Sequence, residues 1–363
     1  MKRFLCLLLA MVCFAALTQT AMASGVTTVI QDEADRKIDV KGLGGDGNFP
    51  VNPEVPGESP VTGLPWEGSY MPMLVQIDNA DGGIGDRAPW GASQADIIYE
   101  TPLHKNGDTR LSYLFSDVIP ESVGPVRSAR LTHVELREEW DCGFLFYGGQ
   151  EYEGTNINDA FREAGTNKSL LFTGMVSSGK PWKQYYTRVK GLPGPHDIDA
   201  NVKAMQALIP ADTKAPSRPY LFTDDLPDLG DFASSISITL KLDKYSSNFT
   251  YDPEANVYLR YVGGEPYIDK STGEQLSFSN LIIQRTEVTF YHGIADRPLT
   301  VNIGSGNADI FIGGRYIPGY WVRTGMKQRT VFFDQEGNEL KLQRGKTFIS
   351  MIDYSTPVTY TAE

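Results

Sequence analysis

Short apolar runs, bounded by clusters of glycine, proline and asparagine, recur along the chain from about residue 66. Residues 73–78 (MLVQID), 96–100 (DIIYE), 110–116 (RLSYLFS) and 144–147 (FLFY) are rich in branched and aromatic side chains. Runs of this length and composition are typical of β-strands. The first half of the chain is therefore expected to supply a sheet whose faces need covering by a second layer.

Three helices are predicted among and after these strands, over residues 128–140, 156–164 and 199–209. Apolar residues recur there at helical spacing, as in Leu131 with Val134 and Val202 with Met205. After a proline-rich linker at residues 210–219 the pattern changes to short strands and tight turns. We expect an α+β fold with a mixed N-terminal part and an all-β C-terminal part, compatible with a sandwich of two sheets and a helical layer around one core.

The first 23 residues have the organisation of a secretory signal. Lys2 and Arg3 precede an uncharged apolar stretch, and Ala21-Met22-Ala23 forms a small-x-small cleavage site. The apolar stretch is too short for a comfortable membrane span, and no other run approaches the roughly 20 apolar residues that a spanning helix needs. We expect an exported, extracytoplasmic protein, in the cell envelope or secreted, with no transmembrane segment.

The remaining chain divides by composition. Residues 24–65 are rich in glycine and proline with almost no apolar periodicity, which predicts a flexible leader that is dispensable for folding. An N-terminal α+β domain is expected over residues 66–212 and a C-terminal β-rich domain over residues 236–353.

Charge and cysteine content limit the classes of partner. The formal net charge is −12, and removal of the signal takes away two more positive charges. An acidic chain is a poor generic partner for nucleic acid, because binding to phosphates requires a basic surface. Cys142 is the one cysteine outside the signal, so no intrachain disulfide is possible, and we interpret it as a buried structural thiol.

No cofactor is expected. The pattern G-x-G-x-x-G at residues 42–47 is followed by prolines that forbid the required helix. The phosphate-loop pattern at residues 174–181 ends in Pro181, which has no hydroxyl to bind magnesium. The four histidines show no paired metal-ligand spacing.

The string GPVRSAR, residues 124–130, places two arginines close together in this acidic chain. With a helix beginning near Ser128, Arg127 and Arg130 would lie about one turn apart at its N-terminus, where an anion is favoured. No carboxylate occurs three or four residues after either arginine. Their partners are therefore either internal carboxylates, for which Asp78, Glu100 and Asp96 are the candidates, or a bound anion such as a carboxylate, a phosphate or an acidic sugar.

His196 has the other specific setting for a titratable group. It follows Gly194-Pro195 in a predicted turn and precedes Asp197, which could orient its ring. A turn histidine bonded to backbone is the simpler interpretation. A catalytic role would pair His196 with a carboxylate such as Asp78 or Glu100 as acid and base.

In their order along the chain, several strings resemble the YerB-like bacterial envelope proteins, a family with an N-terminal and a C-terminal domain of unknown function. They are VQIDNA, SQADIIYE, TRLSYLF, GPVRSAR, GPH at residues 194–196, IGSGNADIFIGGRYIPGYW and FFDQEGNELKLQRGKTFI. The resemblance covers roughly residues 66–353 and brings no established reaction.

Two departures from the family pattern matter. Many members are lipoproteins, but Val12 stands before Cys13 where a lipid-attachment motif has a small residue, so no lipid anchor is expected. Residues 146–150 read FYGGQ where the family often shows His-Ala-Gly-Gly-Ser, which puts in doubt any chemistry that depends on that histidine.

Two functional hypotheses follow. In the first, the protein binds an anionic group of a cell-wall polymer or of a partner protein through Arg110, Arg127 and Arg130, with Asn79 as a further ligand-binding residue. In the second, it hydrolyses an anionic glycan or phosphodiester, with His196 and a carboxylate as acid and base and the same three arginines as an electrostatic clamp. The candidate carboxylates are Asp78, Glu100 and Asp96. The absence of an acid–base motif of recognisable spacing favours binding, while enzymatic activity and oligomeric state stay open.

Overall fold

The apolar runs of the first half form central strands of a large sheet. A computed structural model describes residues 26–29, 40–176 and 179–362, and the predicted signal at residues 1–23 lies outside them. The helices are α1 (Leu131–Trp140), α2 (Ile157–Glu163) and α3 (Val202–Gln206). The strands of the first half are β1 (Val26–Val29), β2 (Met73–Ile77), β3 (Ile97–Pro102), β4 (Thr109–Phe115), β5 (Gly143–Phe146), β6 (Glu151–Tyr152), β7 (Thr155–Asn156), β8 (Leu171–Thr173), β9 (Tyr186–Arg188) and β10 (Ile198–Ala200).

The second half is all β in the described residues, as its turn-rich pattern predicts. Its strands are β11 (Leu221–Thr223), β12 (Asp231–Phe232), β13 (Ser235–Ile238), β14 (Ser247–Asp252), β15 (Val257–Val262), β16 (Glu265–Pro266), β17 (Ser277–Phe278), β18 (Asn280–Thr286), β19 (Val288–Phe290), β20 (Pro298–Thr300), β21 (Gly304–Ile312), β22 (Arg315–Arg323), β23 (Val331–Asp334), β24 (Lys341–Gln343), β25 (Thr347–Asp353) and β26 (Val358–Thr361).

Both halves of the chain contribute to the large sheet. Its eleven strands run in the order β12-β22-β21-β18-β25-β3-β4-β2-β5-β8, with β23 also paired to β22. Strand β25, near the end of the chain, lies between β18 and β3 and is parallel to both. Residues of both predicted domains therefore contribute strands to one sheet.

A second, seven-stranded sheet packs on one face of the large sheet. It has the order β1-β26-β13-β14-β15-β16, with β17 paired to β15. Alternate residues of the large sheet, such as Val75 and Leu111, face the second sheet's Phe249 in one apolar core. The intervening residues, such as Leu74, pack with Trp140 of α1 in a second core on the opposite face. Two sheets and a helical layer thus make the sandwich, because side chains of a strand alternate between its faces.

The helices are shorter than the predicted ones. Residues 198–200 form β10, paired with β9, so α3 begins only at Val202. None of the helices in the described residues is long and apolar enough to span a membrane. Cys142 is buried, as predicted, and burial raises the pKa of its thiol to about 12.

The prediction of a flexible leader is wrong for residues 40–65. Val61 is fully buried, and the ring of Phe49 packs on that of Phe333 with centroids 5.2 Å apart. Ser59 and Thr62 each donate a hydrogen bond of 2.6 Å to the carboxylate of Asp117. The prediction from composition failed because a few apolar and hydroxyl side chains are enough to hold a segment against the fold, even when the segment has no apolar periodicity.

Candidate functional site

The segment that carries Arg127 and Arg130 is extended, so the prediction that α1 begins near Ser128 is wrong. The backbone N–H of Arg127 donates to the Gln76 carbonyl at 2.9 Å, and Ala129 bridges Gly149 on the other side. Arg130 is the residue before α1 and has φ −128° and ψ 174°. Hydrogen bonds to both flanks keep these residues out of the helix. The anion site argued from a helix N-terminus is therefore replaced by one on a strand-like segment.

Asp78, the residue after β2, is the centre of the cluster. Its Oδ1 lies 3.5 Å from Nε of Arg127 and 4.0 Å from an Nη atom of Arg110. Its Oδ2 is hydrogen-bonded to Nδ1 of His196. Burial raises the pKa of Asp78, but Arg110, the hydrogen bond from His196 and Arg127 outweigh burial and hold this pKa below its ordinary value. Asp78 is therefore a buried carboxylate kept ionised by its neighbours.

His196 bridges Asp78 and a residue that the sequence did not indicate, Arg87. Nε2 of His196 lies 2.9 Å from an Nη atom of Arg87. A guanidinium only donates, so Nε2 accepts, and the ring proton lies on Nδ1 and is donated to Asp78. The expected orienting partner, Asp197, is bonded instead to Arg188, at 2.7 and 2.8 Å. Asp197 is therefore not the residue that orients the ring of His196.

Arg110 is buried beneath the cluster. One of its Nη atoms donates to the Ser128 carbonyl at 3.1 Å, while its buried Nε has no hydrogen-bond partner among the described residues. Burial lowers the pKa of Arg110 against the opposing effect of Asp78, and the nearby charges of Arg130 and Arg127 lower it further.

Arg130 lies beside the other two arginines without a carboxylate of its own. Within the described ranges, no acidic oxygen lies inside the 4.0 Å ion-pair distance of its guanidinium, which donates to the Ala129 carbonyl at 3.0 Å. Burial lowers the pKa of Arg130, Asp296 of an exposed turn opposes burial, and Arg127 adds repulsion. Arg110 and Arg127 therefore share the carboxylate of Asp78. Arg130 beside them interacts with Asp296 from beyond ion-pair distance. The arginines of the cluster outnumber the carboxylates in ion-pair contact with them.

His133, which is neutral, holds the backbone of Arg130 in place. Nδ1 of His133 accepts the backbone N–H of Arg130 at 2.9 Å, and Nε2 lies 3.0 Å from Oγ1 of Thr101. Burial, followed by the charges of Arg110 and Arg130, lowers the pKa of His133 well below its ordinary value. His133 is thus a positioning residue that fixes the backbone of Arg130 and adds no charge.

Asn79 and Glu100 do not join the cluster. Asn79 projects to the opposite face of the large sheet, where its amide donates to Thr109 at 2.8 Å and its Oδ1 accepts from Tyr267 at 3.0 Å. Glu100 lies between the two sheets, with its Oε1 3.1 Å from Arg260. Period-two alternation explains the separation, because Asp78 and Asn79 are consecutive and must point to opposite faces.

The third candidate partner, Asp96, lies outside the cluster as well. It accepts the backbone N–H groups of Ser116 and Asp117 at 2.6 and 3.0 Å. Burial and the neighbouring carboxylate of Asp117 raise the pKa of Asp96 to about 7. Its contacts are thus internal to the fold.

Gln150 is a further residue beside Arg130 that the sequence did not single out. Its backbone N–H donates to the Ala129 carbonyl at 3.1 Å, next to Arg130. The side chain is 2% exposed, and neither amide atom has a hydrogen-bond partner among the described residues. Its position at the end of FYGGQ, a departure from the family pattern, was the available signal. In the described ranges no group of three acidic, histidine or cysteine side chains is arranged to hold a metal ion.

Two protein-family models and one curated relative match this chain. A family model described as "Protein of unknown function (DUF3048) N-terminal domain" matches residues 61–214, and the corresponding C-terminal domain matches residues 236–349. The chain is 26% identical over 313 residues to "Putative lipoprotein YerB" of Bacillus subtilis (strain 168), covering 81% of this chain and 86% of the relative.

A solved structure is also similar. The crystal structure of the YerB protein from Bacillus subtilis superposes with a TM-score of 0.66 at 23% identity, covering 81% of this chain and 96% of that one. At this level of identity the likeness shows the fold.

Proposed function

We propose that this chain, which belongs to the YerB-like family, is an exported envelope protein that binds an anionic group through Arg110, Arg127 and Arg130. The anionic group belongs to a cell-wall polymer or to a partner protein. Export is supported by the signal-like residues 1–23 and by the word lipoprotein in the description of the relative.

The observation that carries the proposal is the imbalance of charge around Asp78. One buried carboxylate faces Arg110 and Arg127 at 4.0 and 3.5 Å, distances too long for direct hydrogen bonds. Arg130 lies beside them with no carboxylate within ion-pair distance among the described residues, and Asp296 acts on it from farther away. Guanidinium groups form paired hydrogen bonds with carboxylates and phosphates. An oxyanion bound beside Arg127 and Arg130 would reduce the repulsion among the three arginines.

Accessibility indicates which side the ligand approaches. The side chain of Arg110 is only 3% exposed, whereas that of Arg127 is 23% exposed. Arg110 therefore contributes positive charge at the buried bottom of the site. Arg127 and half-buried Arg130 present their N–H donors to the ligand.

The hydrolase alternative has less support. His196 and Asp78 form a hydrogen-bonded pair, but Nε2, the atom that would act as base, accepts from Arg87. Glu100, the other candidate, is 2% exposed and faces the second sheet. A general base must reach the proton that it abstracts. Binding is thus the function that the geometry supports best.

Retention on isolated cell wall tests the proposal. Wild-type protein should be retained at low salt and released at high salt, because screening weakens contacts between charges. The double variant Arg127→Ala/Arg130→Ala should be released at both salt concentrations. Arg162→Ala is the matched control, since Arg162 is an exposed arginine of α2 paired with Asp159 at 2.7 Å. Equal retention of the double variant and the wild type would contradict the proposal.

The mature N-terminus tests export separately. Cleavage after Ala23 predicts a mature chain that begins at Ser24 and carries no lipid. Mass spectrometry of protein from the native host distinguishes this result from a lipid-modified Cys13, which would overturn the sequence argument from Val12.

A further inference from the structure

A cleft away from the arginine cluster lies where residues 53–70 pack against the linker between the two family domains. Residues 53–60 and 66–70 line it on one side around a cavity of about 560 Å³. Ser217, Pro219, Tyr220 and Phe222 line the other side. Four aromatic side chains line it: Trp66, Tyr70, Tyr220 and Phe222. Clefts of this size with aromatic walls and a few polar groups are typical of sites for small ligands.

The aromatic wall is held in place before any ligand binds. Nε1 of Trp66 donates to the Asp117 carbonyl at 3.1 Å. Gly68 lies against the indole so closely that a Cβ there would come within 2.4 Å of the ring. Tyr220 packs edge-on against Trp140, with ring centroids 6.1 Å apart. The faces of these rings therefore have fixed directions.

The charged residues that line the cleft are acidic, although Arg218 lies near Tyr70. Glu54, Glu58 and Glu67 line the cleft, and none of its lining residues is lysine, arginine or histidine. Glu58 is paired with Arg344 at 2.8 Å. Within the described ranges Glu54 and Glu67 have no ion-pair partner, so their charge is available to a ligand.

Two hydroxyl groups in the cleft lack partners. The Oη of Tyr70 and the Oγ of Ser217 are buried, and neither has a hydrogen-bond partner among the described residues. A buried polar group without a partner is unfavourable, so these hydroxyls are placed to bond a bound molecule.

We propose that this cleft binds an organic ammonium group, as carried by an amino sugar, a quaternary amine or a lysine side chain. Aromatic faces attract organic ammonium groups more strongly than they attract inorganic cations, because inorganic cations retain their hydration water. The carboxylates of Glu54 and Glu67 add electrostatic attraction for the same positive charge. The cleft is chemically opposite to the arginine cluster, and the inference does not rest on the proposed function.

Matched pairs of probes test the inference on the full chain. Choline and 3,3-dimethylbutan-1-ol have the same shape and differ by one charge. Glucosamine and glucose are a second pair of nearly equal size, in which a primary ammonium is replaced by a neutral hydroxyl. Titration calorimetry should show each cation binding at least about tenfold more tightly than its neutral partner. Preference for choline or for glucosamine then distinguishes a quaternary from a primary ammonium ligand.

Variants locate the binding. Glu54→Gln/Glu67→Gln should weaken binding of the cation by about threefold to tenfold, because two carboxylates are lost and attraction between exposed charges in water is modest. Glu254→Gln, the same change at an exposed turn elsewhere, should leave it unchanged. Trp66→Phe keeps an aromatic ring with a weaker quadrupole and should also weaken binding, with thermal melting as the check that each variant folds. Equal affinity for charged and neutral probes, or an equal loss in Glu254→Gln, would overturn the inference.

Discussion

Asp78 and His196 lie 118 positions apart in the chain and are hydrogen-bonded, Nδ1 to Oδ2. The bond joins the end of β2 to the turn before β10, and it places the imidazole between a carboxylate and the guanidinium of Arg87. His196, the candidate catalytic base, therefore links Asp78 to Arg87 by hydrogen bonds within a group of cations. This relationship supports the proposal of binding over that of hydrolysis.

Replacing Asp78 by asparagine should destabilise the protein by about 3–5 kcal/mol, because Arg110 would be left buried without a carboxylate. The double variant Asp78→Asn/Arg110→Met should recover part of this loss, and urea unfolding at pH 7 measures both. The pKa of Asp78 is lowered in the folded state, so its contribution is present above the ordinary carboxyl pKa and is lost as the pH falls through the folded value. Equal stability of wild type and Asp78→Asn at pH 7 would contradict this account of the cluster.

Glu100→Gln tests whether Glu100 belongs to the core or to the ligand site. The change leaves Arg260, which is fully buried, without its carboxylate and should cost about 3–5 kcal/mol. Retention on cell wall should be unchanged at a temperature where the variant is folded. Lost retention in a folded Glu100→Gln protein would return Glu100 to the ligand site.

Glu135→Gln should make the protein more stable at pH 8. Burial raises the pKa of Glu135 to about 7 against the opposing effect of Arg323, and its Oε2 has no hydrogen-bond partner among the described residues. The folded state therefore binds more protons than the unfolded state between about pH 4.5 and 7, and stability falls as the pH rises through this window. Replacement by glutamine should gain about 1–3 kcal/mol at pH 8 and little at pH 4. The unfolding free energies of both proteins at the two pH values check the sign.

Val61→Ala tests the packing of the N-terminal segment. Val61 is fully buried, so loss of two methyl groups should cost about 2 kcal/mol. Val55→Ala, at an exposed position of the same segment, is the control and should cost little. If both substitutions were neutral, and protease removed residues 40–65 without loss of stability, the segment would be the tether that its composition suggests.

Local pattern predicted the strands, but not the partners of the site residues. Runs such as MLVQID specify a strand by composition alone, and β2 spans Met73–Ile77. Consecutive positions already imply that Asp78 and Asn79 face opposite ways. The register that brings His196 to Asp78, and the loop that brings Arg87 to His196, depend on tertiary packing that no short string encodes.

The start of α1 shows the same limit at the backbone. Ser128 is a good capping residue, so the local sequence predicts that the helix begins there. The main-chain groups of Arg127 and Ala129 are instead bonded to Gln76 and Gly148, at 2.9 and 3.0 Å. Long-range hydrogen bonds therefore outweigh a local preference worth about 1 kcal/mol.

Thermal melting with and without small anions tests the central claim, that the three arginines lack sufficient negative charge and bind it from outside. Pyrophosphate and citrate serve as phosphate and carboxylate probes for the wild type, Arg127→Ala/Arg130→Ala and the control Arg162→Ala. Both probes should raise the melting temperature of the wild type and the control, since a ligand that binds only the folded state stabilises it. The double variant should not respond, and without anion it should melt within about 4 °C of the wild type, because Asp78 keeps Arg110 and His196. A wild type indifferent to both anions, together with a large drop in the double variant, would contradict the claim and make the arginines part of the architecture.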